Sequence, residues 1–130
     1  MLSPRMAVLL AKRQRQQLEG SQDMIYLSGP MSGLPDYNRP AFDRAAKSLR
    51  EKGYKVWSPA EAFDRNVLMP RSHYMRVDIE ALMKCTTVMM LPNWEQSKGA
   101  RLEFEIAKEL ELPVLLLSDD GEKVEVLNGN

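Results

Sequence analysis

The stretch "SKGARLEFEIAKELELPVLLLS" (residues 97–118) joins a helical pattern to a strand pattern. Residues 97–110 place small or apolar side chains at helical spacing, whereas "PVLLLS" (113–118) is a short continuous apolar run. A run of that length, next to a helix, is typical of a buried strand. The stretch therefore predicts one helix followed by one strand of an α/β protein.

The same alternation extends back to residue 24. Helices are predicted at residues 40–52 and 72–84, the first with Pro40 in its first turn and Gly53 at its end. The other predicted strands are "MIYLSG" (24–29), "YKVWSP" (54–59) and "TTVMMLP" (86–92). We predict an α/β fold, a three-layer sandwich around a mainly parallel, flavodoxin/Rossmann-like sheet of about five strands.

Sheets of this kind bind ligands beyond the carboxyl ends of their strands. In this chain the loops at those ends are residues 28–38, 58–71 and 92–99. We therefore expect these three loops to surround the functional site.

Composition narrows the classes of function. A chain of 130 residues with 44% hydrophobic residues suits a single domain, predicted at residues 24–130. The charges of its 18 basic and 18 acidic residues cancel, so no net electrostatic field favours binding to nucleic acid or to an anionic membrane. A small-molecule partner is expected. Cys85 is the only cysteine, which excludes an intramolecular disulfide and a thiolate metal cluster. We predict no metal, no cofactor and a cytoplasmic location.

Residues 1–23 precede the predicted domain as an N-terminal extension. The apolar run "MAVLLA" (6–11) is too short to span a membrane, and no export signal is predicted. Residues 2–19 fit an amphipathic helix. This segment is interpreted either as a dimerising helix or as an upstream-start extension ahead of Met24.

One carboxylate interrupts the inward stripe of helix 97–110. Five positions share the spacing of a single buried face: Gly99, Glu103, Ile106, Ala107 and Leu110. Four of them are small or apolar, and Glu103 is not. By contrast, Glu105 falls on the opposite, charged face and is predicted to be solvated.

Helix 72–84 shows the same anomaly. Its stripe consists of Tyr74, Asp78, Ala81, Leu82 and Cys85, in which Asp78 is the charged member. A half-buried carboxylate is costly unless it is paired or hydrogen-bonded, so one interpretation of each is a loop cap or a partner of an arginine such as Arg39 or Arg71. Two such inward carboxylates in one protein indicate acid/base or nucleophilic chemistry, with one carboxylate ionised and the other protonated.

Three segments carry a family resemblance. "IYLSGPMSG" (25–33), "YMRVDIEAL" (74–82) and "SKGARLEFEIAKELELPVLLL" (97–117) resemble the nucleoside 2-deoxyribosyltransferase-like superfamily and, within it, the phage and bacterial branch called DUF4406. The resemblance covers about residues 24–118. In characterised relatives a glutamate attacks the anomeric carbon of a 2-deoxynucleoside and forms a covalent deoxyribosyl-enzyme.

The resemblance implies catalytic roles for three residues. Glu103 matches the nucleophile, and Tyr26 matches the tyrosine that orients it and stabilises its charge. Asp78 matches the aspartate that helps to protonate the departing base or contacts the sugar. The resemblance also implies a homo-oligomer, and a nucleoside or nucleotide as the small-molecule partner.

Substrate-binding residues are implied in two loops. The residues expected to receive the sugar or its 5′-phosphate are Ser28, Gly29, Ser32 and Gly33, and Ser97 matches the serine before the nucleophile turn. Gly99 is expected to let a ligand approach Glu103. Trp94 is interpreted either as a surface on which a base stacks or as a cover for the sheet edge.

Two departures from the family pattern affect these expectations. Relatives that hydrolyse deoxynucleoside 5′-monophosphates tend to carry Ser and Arg in the first loop, where this chain has Pro30 and Ser32. Relatives usually have Gly two places after the nucleophile, where this chain has Glu105. The first departure concerns recognition of a 5′-phosphate, and the second concerns packing of the helix.

The sequence thus supports a leading hypothesis and two others. The first is an enzyme that cleaves the N-glycosidic bond of a (deoxy)nucleoside or nucleoside 5′-monophosphate, by hydrolysis or deoxyribosyl transfer, through a glycosyl-Glu intermediate. The second is a non-catalytic module that binds or senses nucleotides. The third, weaker hypothesis is a purely structural protein.

Overall fold

The chain folds around one five-stranded sheet with helices on both faces. The computed structural model describes residues 4–6, 23–64 and 66–128. Most of the helix predicted at residues 2–19 lies outside the described residues. The strands are β1 (Ile25–Ser28), β2 (Val56–Trp57), β3 (Thr87–Met90), β4 (Val114–Leu117) and β5 (Val124–Val126). The helices are α1 (Arg39–Glu51), α2 (Pro59–Ala62), α3 (Arg71–Lys84) and α4 (Lys98–Glu109), with 3₁₀ turns at Pro35–Asn38 and Trp94–Gln96.

The strand order is β2-β1-β3-β4-β5. The first four strands are parallel, and β5 is antiparallel to β4. This is the flavodoxin-like order, in which the direction of winding reverses between β1 and β3 and leaves a crevice at their carboxyl ends. The predicted fold class, a mainly parallel sheet of about five strands, is confirmed.

Alternate residues of the central strands belong to two separate hydrophobic cores, because successive side chains of a strand point to opposite faces of the sheet. One core lies under α1 and contains Ile25, Leu27, Phe42, Leu49 and Met89, among others. The other lies under α3 and α4 and contains Tyr26, Leu82, Val88, Met90 and Ala107, among others. Odd-numbered residues of β1 therefore face α1, and its even-numbered residues face α3 and α4.

Helix boundaries agree with the sequence expectations to within one residue at each end. Pro40 lies in the first turn of α1, and Gly53 follows the helix with a φ of 94°. That left-handed conformation is one that glycine adopts without the steric cost of a side chain.

Two strand expectations need correction. β2 is only two residues long, because Pro59 and Ala60 already belong to the short helix α2. β5 had no predicted position, although Asp120–Gly121 is a typical hairpin turn dipeptide. Gly121 has a φ of 74° and turns the chain back along β4.

No helix within the described residues is long and apolar enough to cross a membrane.

Candidate active site

Two hydroxyl groups from β1 hold the side chain of Glu103. Tyr26 Oη donates a hydrogen bond to Glu103 Oε2 at 2.8 Å, and Ser28 Oγ donates one to Glu103 Oε1 at 2.6 Å. Tyr26 and Ser28 share a face of the strand because they are two residues apart. All three side chains are buried, and Glu103 is 6% exposed. The inward carboxylate predicted from the sequence is therefore a buried, doubly hydrogen-bonded group.

The N-terminal cap of α4 sets the direction in which Glu103 points. Ser97 Oγ accepts a hydrogen bond from the Ala100 backbone N–H at 3.1 Å, an N-cap contact that starts the helix at Lys98. The buried face of α4 then consists of Ala100, Glu103 and Ala107. Small residues on both sides of Glu103 let the helix lie close to the sheet.

One residue predicted to lie on the buried face of α4 does not lie there. Leu110 is 42% exposed, and Ala100 lies on the buried face in its place. Glu105 is exposed as predicted and pairs with Lys108 at 3.2 Å.

Opposing effects act on the charge of Glu103. The pKa of Glu103 lies above its ordinary value, because the effect of burial exceeds that of the hydrogen bonds from Ser28 and Tyr26, which lower the pKa. A contribution from the helix dipole is small, because Glu103 is the sixth residue of α4 and the dipole effect decays within the first turn. Both oxygens of Glu103 accept a hydrogen bond from a hydroxyl, an arrangement that favours the ionised form against the effect of burial.

Asp78 on α3 is the second inward carboxylate. Its Oδ1 atom is buried and has no hydrogen-bond partner within the described residues. Burial and the nearby charge of Glu103 raise the pKa of Asp78 to about 7. Asp78 is therefore partly protonated near neutral pH, which is the condition for an acid that donates a proton.

Neither arginine considered from the sequence neutralises these carboxylates. Arg39 pairs with Asp36 at 3.0 Å, and Arg71 is exposed at the start of α3. Within residues 23–64 and 66–128 no ion pair joins either arginine to Asp78 or Glu103. The charge that acts on Asp78 is therefore that of the other acid, Glu103.

Tyr26 is held as a neutral donor. Burial and the charges of Glu103 and Asp78 raise the pKa of Tyr26 well above its ordinary value, so its O–H keeps its proton. Its ring stacks on the indole of Trp57, with centroids 5.0 Å apart and planes 10° from parallel. Trp57 was not predicted as a site residue, because only the register of β2 against β1 places it opposite Tyr26.

The residues of the first predicted binding loop occupy different environments. Ser28 donates its hydroxyl to Glu103, and Gly29 packs so closely on Leu91 that a Cβ at position 29 would lie 2.9 Å from the Leu91 Cβ. Ser32 and Gly33 are exposed, and Gly33 has a φ of 81° with open space beside it. Contact of these residues with a substrate stays a prediction.

The residues predicted near α4 also have structural contacts. Ser97 caps the helix, and the Trp94 ring packs on Phe104 with centroids 4.8 Å apart. Gly99 is half-buried, and a Cβ there would lie 3.7 Å from the sulfur of Met75, an ordinary contact. The Trp94 contact fits the interpretation that Trp94 covers apolar surface, while base stacking stays untested.

Taken together, the site contains two inward carboxyl groups and two hydroxyl donors, and the hydroxyls come from β1. Within the part of the chain that the structure describes, no group of three or more acidic, histidine or cysteine side chains is arranged to hold a metal ion. The chemistry available to this cluster is nucleophilic attack and proton transfer.

Comparison with solved structures defines the class of fold. A 2-deoxyribosyltransferase from Bacillus psychrosaccharolyticus superposes with a TM-score of 0.60 at 24% sequence identity, over 78% of this chain and 77% of that one. A 2-desoxiribosyltransferase from Leishmania mexicana gives a TM-score of 0.57 at 19% identity, over 80% and 79% of the respective chains. This chain therefore shares the fold of these 2-deoxyribosyltransferases.

The sequence also matches one family directly. Residues 23–116 match the profile of the domain of unknown function DUF4406, and the chain belongs to that family. No curated protein gave a significant match to the sequence. The resemblance stated from the sequence is confirmed.

The buried Oδ1 of Asp78, which has no partner within the described residues, predicts a stability gain when the carboxyl is neutralised. The pKa of this group is about 7 in the folded chain and has a reference value of 3.8, so the unfolded chain releases the proton at lower pH. Its contribution to the free energy of unfolding therefore falls between about pH 4 and pH 7 and stays low above that range. We expect Asp78→Asn to raise the free energy of unfolding by about 1–3 kcal/mol near pH 8, with a smaller gain near pH 5.

Denaturant unfolding at the two pH values measures this effect. Glu80→Gln is the matched control, because Glu80 lies on the same helix but forms an exposed pair with Lys84 at 3.3 Å. Loss of such a pair changes stability by less than about 1 kcal/mol. A lower stability of Asp78→Asn at the higher pH would contradict the account.

Proposed function

We propose that this protein cleaves the N-glycosidic bond of a (deoxy)nucleoside or its 5′-monophosphate, by hydrolysis or by deoxyribosyl transfer. The observation that carries the proposal is the Glu103 carboxylate, buried and held at both oxygens beside a second acid whose buried oxygen is unpaired. The fold shared with 2-deoxyribosyltransferases supports the same class of reaction.

In the first half-reaction a Glu103 oxygen attacks the anomeric carbon of the sugar. The bond from that carbon to the base nitrogen breaks, and its electron pair leaves with the base. Asp78 donates its proton to the departing base, so that the base leaves in neutral form. The product is a glycosyl ester of Glu103, reached through an oxocarbenium-like transition state that the carboxylate stabilises.

In the second half-reaction the ester is opened at the same carbon. Water or the nitrogen of a second base attacks, its proton passes to the Asp78 carboxylate, and Glu103 leaves as a carboxylate. Tyr26 donates its hydrogen bond to Glu103 throughout and stabilises the charge that returns to it. Both acids then have their starting protonation states.

Removal of the nucleophile gives the first functional prediction. Glu103→Ala is expected to lower base release by at least about a thousandfold, because no covalent intermediate can form. The assay is chromatography of free base from deoxy- and ribonucleosides and their monophosphates, alone and with a second base as acceptor. Glu105→Ala is the matched control, since Glu105 is an exposed carboxylate two residues away on the same helix.

Three outcomes of this assay have distinct meanings. Loss in Glu103→Ala with retention in Glu105→Ala supports the proposal and identifies the substrate. Equal activity in both variants contradicts the role of Glu103. Saturable nucleotide binding with no base released by the wild-type protein favours the sensing module in place of an enzyme.

The pH dependence gives a second functional prediction. The acid must be protonated to donate to the base, and its pKa is about 7. We therefore expect kcat/KM for base release to fall about tenfold per pH unit at pH values above that pKa. A kcat/KM that stays level from about pH 6 to pH 9 would contradict the assignment of Asp78 as the acid.

A further inference from the structure

Ser28 has a contact that the family resemblance did not indicate. The resemblance places this residue among those that receive the sugar or its phosphate, whereas its hydroxyl donates to Glu103 Oε1 at 2.6 Å. Ser28 is 1% exposed, and its hydroxyl proton is used in this bond. A hydroxyl has only one proton to donate, so Ser28 cannot donate to a sugar oxygen while it holds Glu103.

The backbone around Ser28 fixes the position of that hydroxyl. Ser28 is the last residue of β1, it lies beside Met90 of β3, and its carbonyl accepts a hydrogen bond from the Leu91 N–H at 2.8 Å. The side chain of serine has a single heavy-atom rotor, so a fixed backbone leaves the oxygen few positions. The Ser28 hydroxyl is therefore preorganised towards the carboxylate.

The surroundings of Glu103 favour its neutral form, so each hydrogen-bond donor affects its charge. Burial favours the neutral form of the carboxyl, and Asp78 on α3 adds a like charge whenever it ionises. The phenol of Tyr26 interacts with both carboxyl groups, and the thiol of Cys85 interacts with Tyr26; burial raises the pKa of that thiol to about 12. Neither supplies a positive charge, so hydrogen bonds are the interactions seen here that favour the ionised carboxylate.

We propose that Ser28 is a positioning residue that keeps the Glu103 carboxylate ionised and correctly oriented for attack, and that it is not a substrate ligand. This inference rests on the proposed role of Glu103 as nucleophile. The proposed reaction needs Glu103 ionised and Asp78 protonated at the same pH. A hydrogen-bond donor that contacts only Glu103 lowers the pKa of Glu103 and not that of Asp78. Tyr26 holds one oxygen and Ser28 the other, so together they fix the plane of the carboxylate.

Direct titration of Glu103 tests the inference without any need for turnover. The protein carries isotope-labelled glutamate carboxyl carbons, and the NMR signal of Glu103 is the one missing in Glu103→Gln. We expect Ser28→Ala to raise the pH midpoint at which this signal titrates by about one to two pH units, because Glu103 loses a hydrogen bond that favours its charged form. Ser28→Thr keeps the hydroxyl and is expected to restore the midpoint, and Ser72→Ala, at an exposed serine of α3, is expected to leave it unchanged.

The same variants are then compared by kinetics of base release. Ser28→Ala should lower kcat at pH values below the shifted titration midpoint, so that the acidic limb of the pH profile moves to higher pH. KM should stay within about twofold of the wild-type value. An unchanged NMR midpoint in Ser28→Ala overturns the inference, and so does a raised KM with an unchanged kcat, which would make Ser28 a substrate ligand. A shifted midpoint in a protein that releases no base supports the effect of Ser28 on Glu103 and contradicts the proposed enzymatic function.

Discussion

A buried carboxyl group is costly unless its oxygens find hydrogen-bond partners, and this constraint determines the arrangement at the centre of the molecule. Glu103 meets it through two hydroxyls on one strand, those of Tyr26 and Ser28. The strand must present two residues with a spacing of two, and the helix must come close enough for a glutamate side chain to reach them. The Ser97 cap and the alanines on each side of Glu103 meet the second condition.

The arrangement carries a cost in stability. Asp78 has a buried oxygen without a partner in the described part of the chain, beside a carboxylate that repels its charge. Stability alone would select an apolar residue on that face of α3. Residues that violate local packing rules in this way are commonly found at functional sites, because the strained protonation state is what the chemistry uses.

The sequence predicted the order of the helices and of the first strands, the mainly parallel sheet, and the two inward carboxylates. These follow from local patterns, since helical spacing alone shows that Glu103 and Asp78 lie on buried faces. The sequence did not show that Ser28 donates to Glu103 or that Trp57 stacks on Tyr26, because both contacts depend on the approach of segments distant in the chain. Leu110 was misplaced because the helix ends at Glu109, so that Leu110 is its C-cap residue and does not continue the buried face.

The central claim is that Glu103 forms a covalent bond to the sugar. The most direct test is mass spectrometry of the protein quenched in acid during turnover of a nucleoside, with digestion to locate the modified residue. The account predicts one added glycosyl group on the peptide that contains Glu103, absent from the Glu103→Gln variant. Base release without any glycosyl adduct, or with an adduct on another residue, would contradict it.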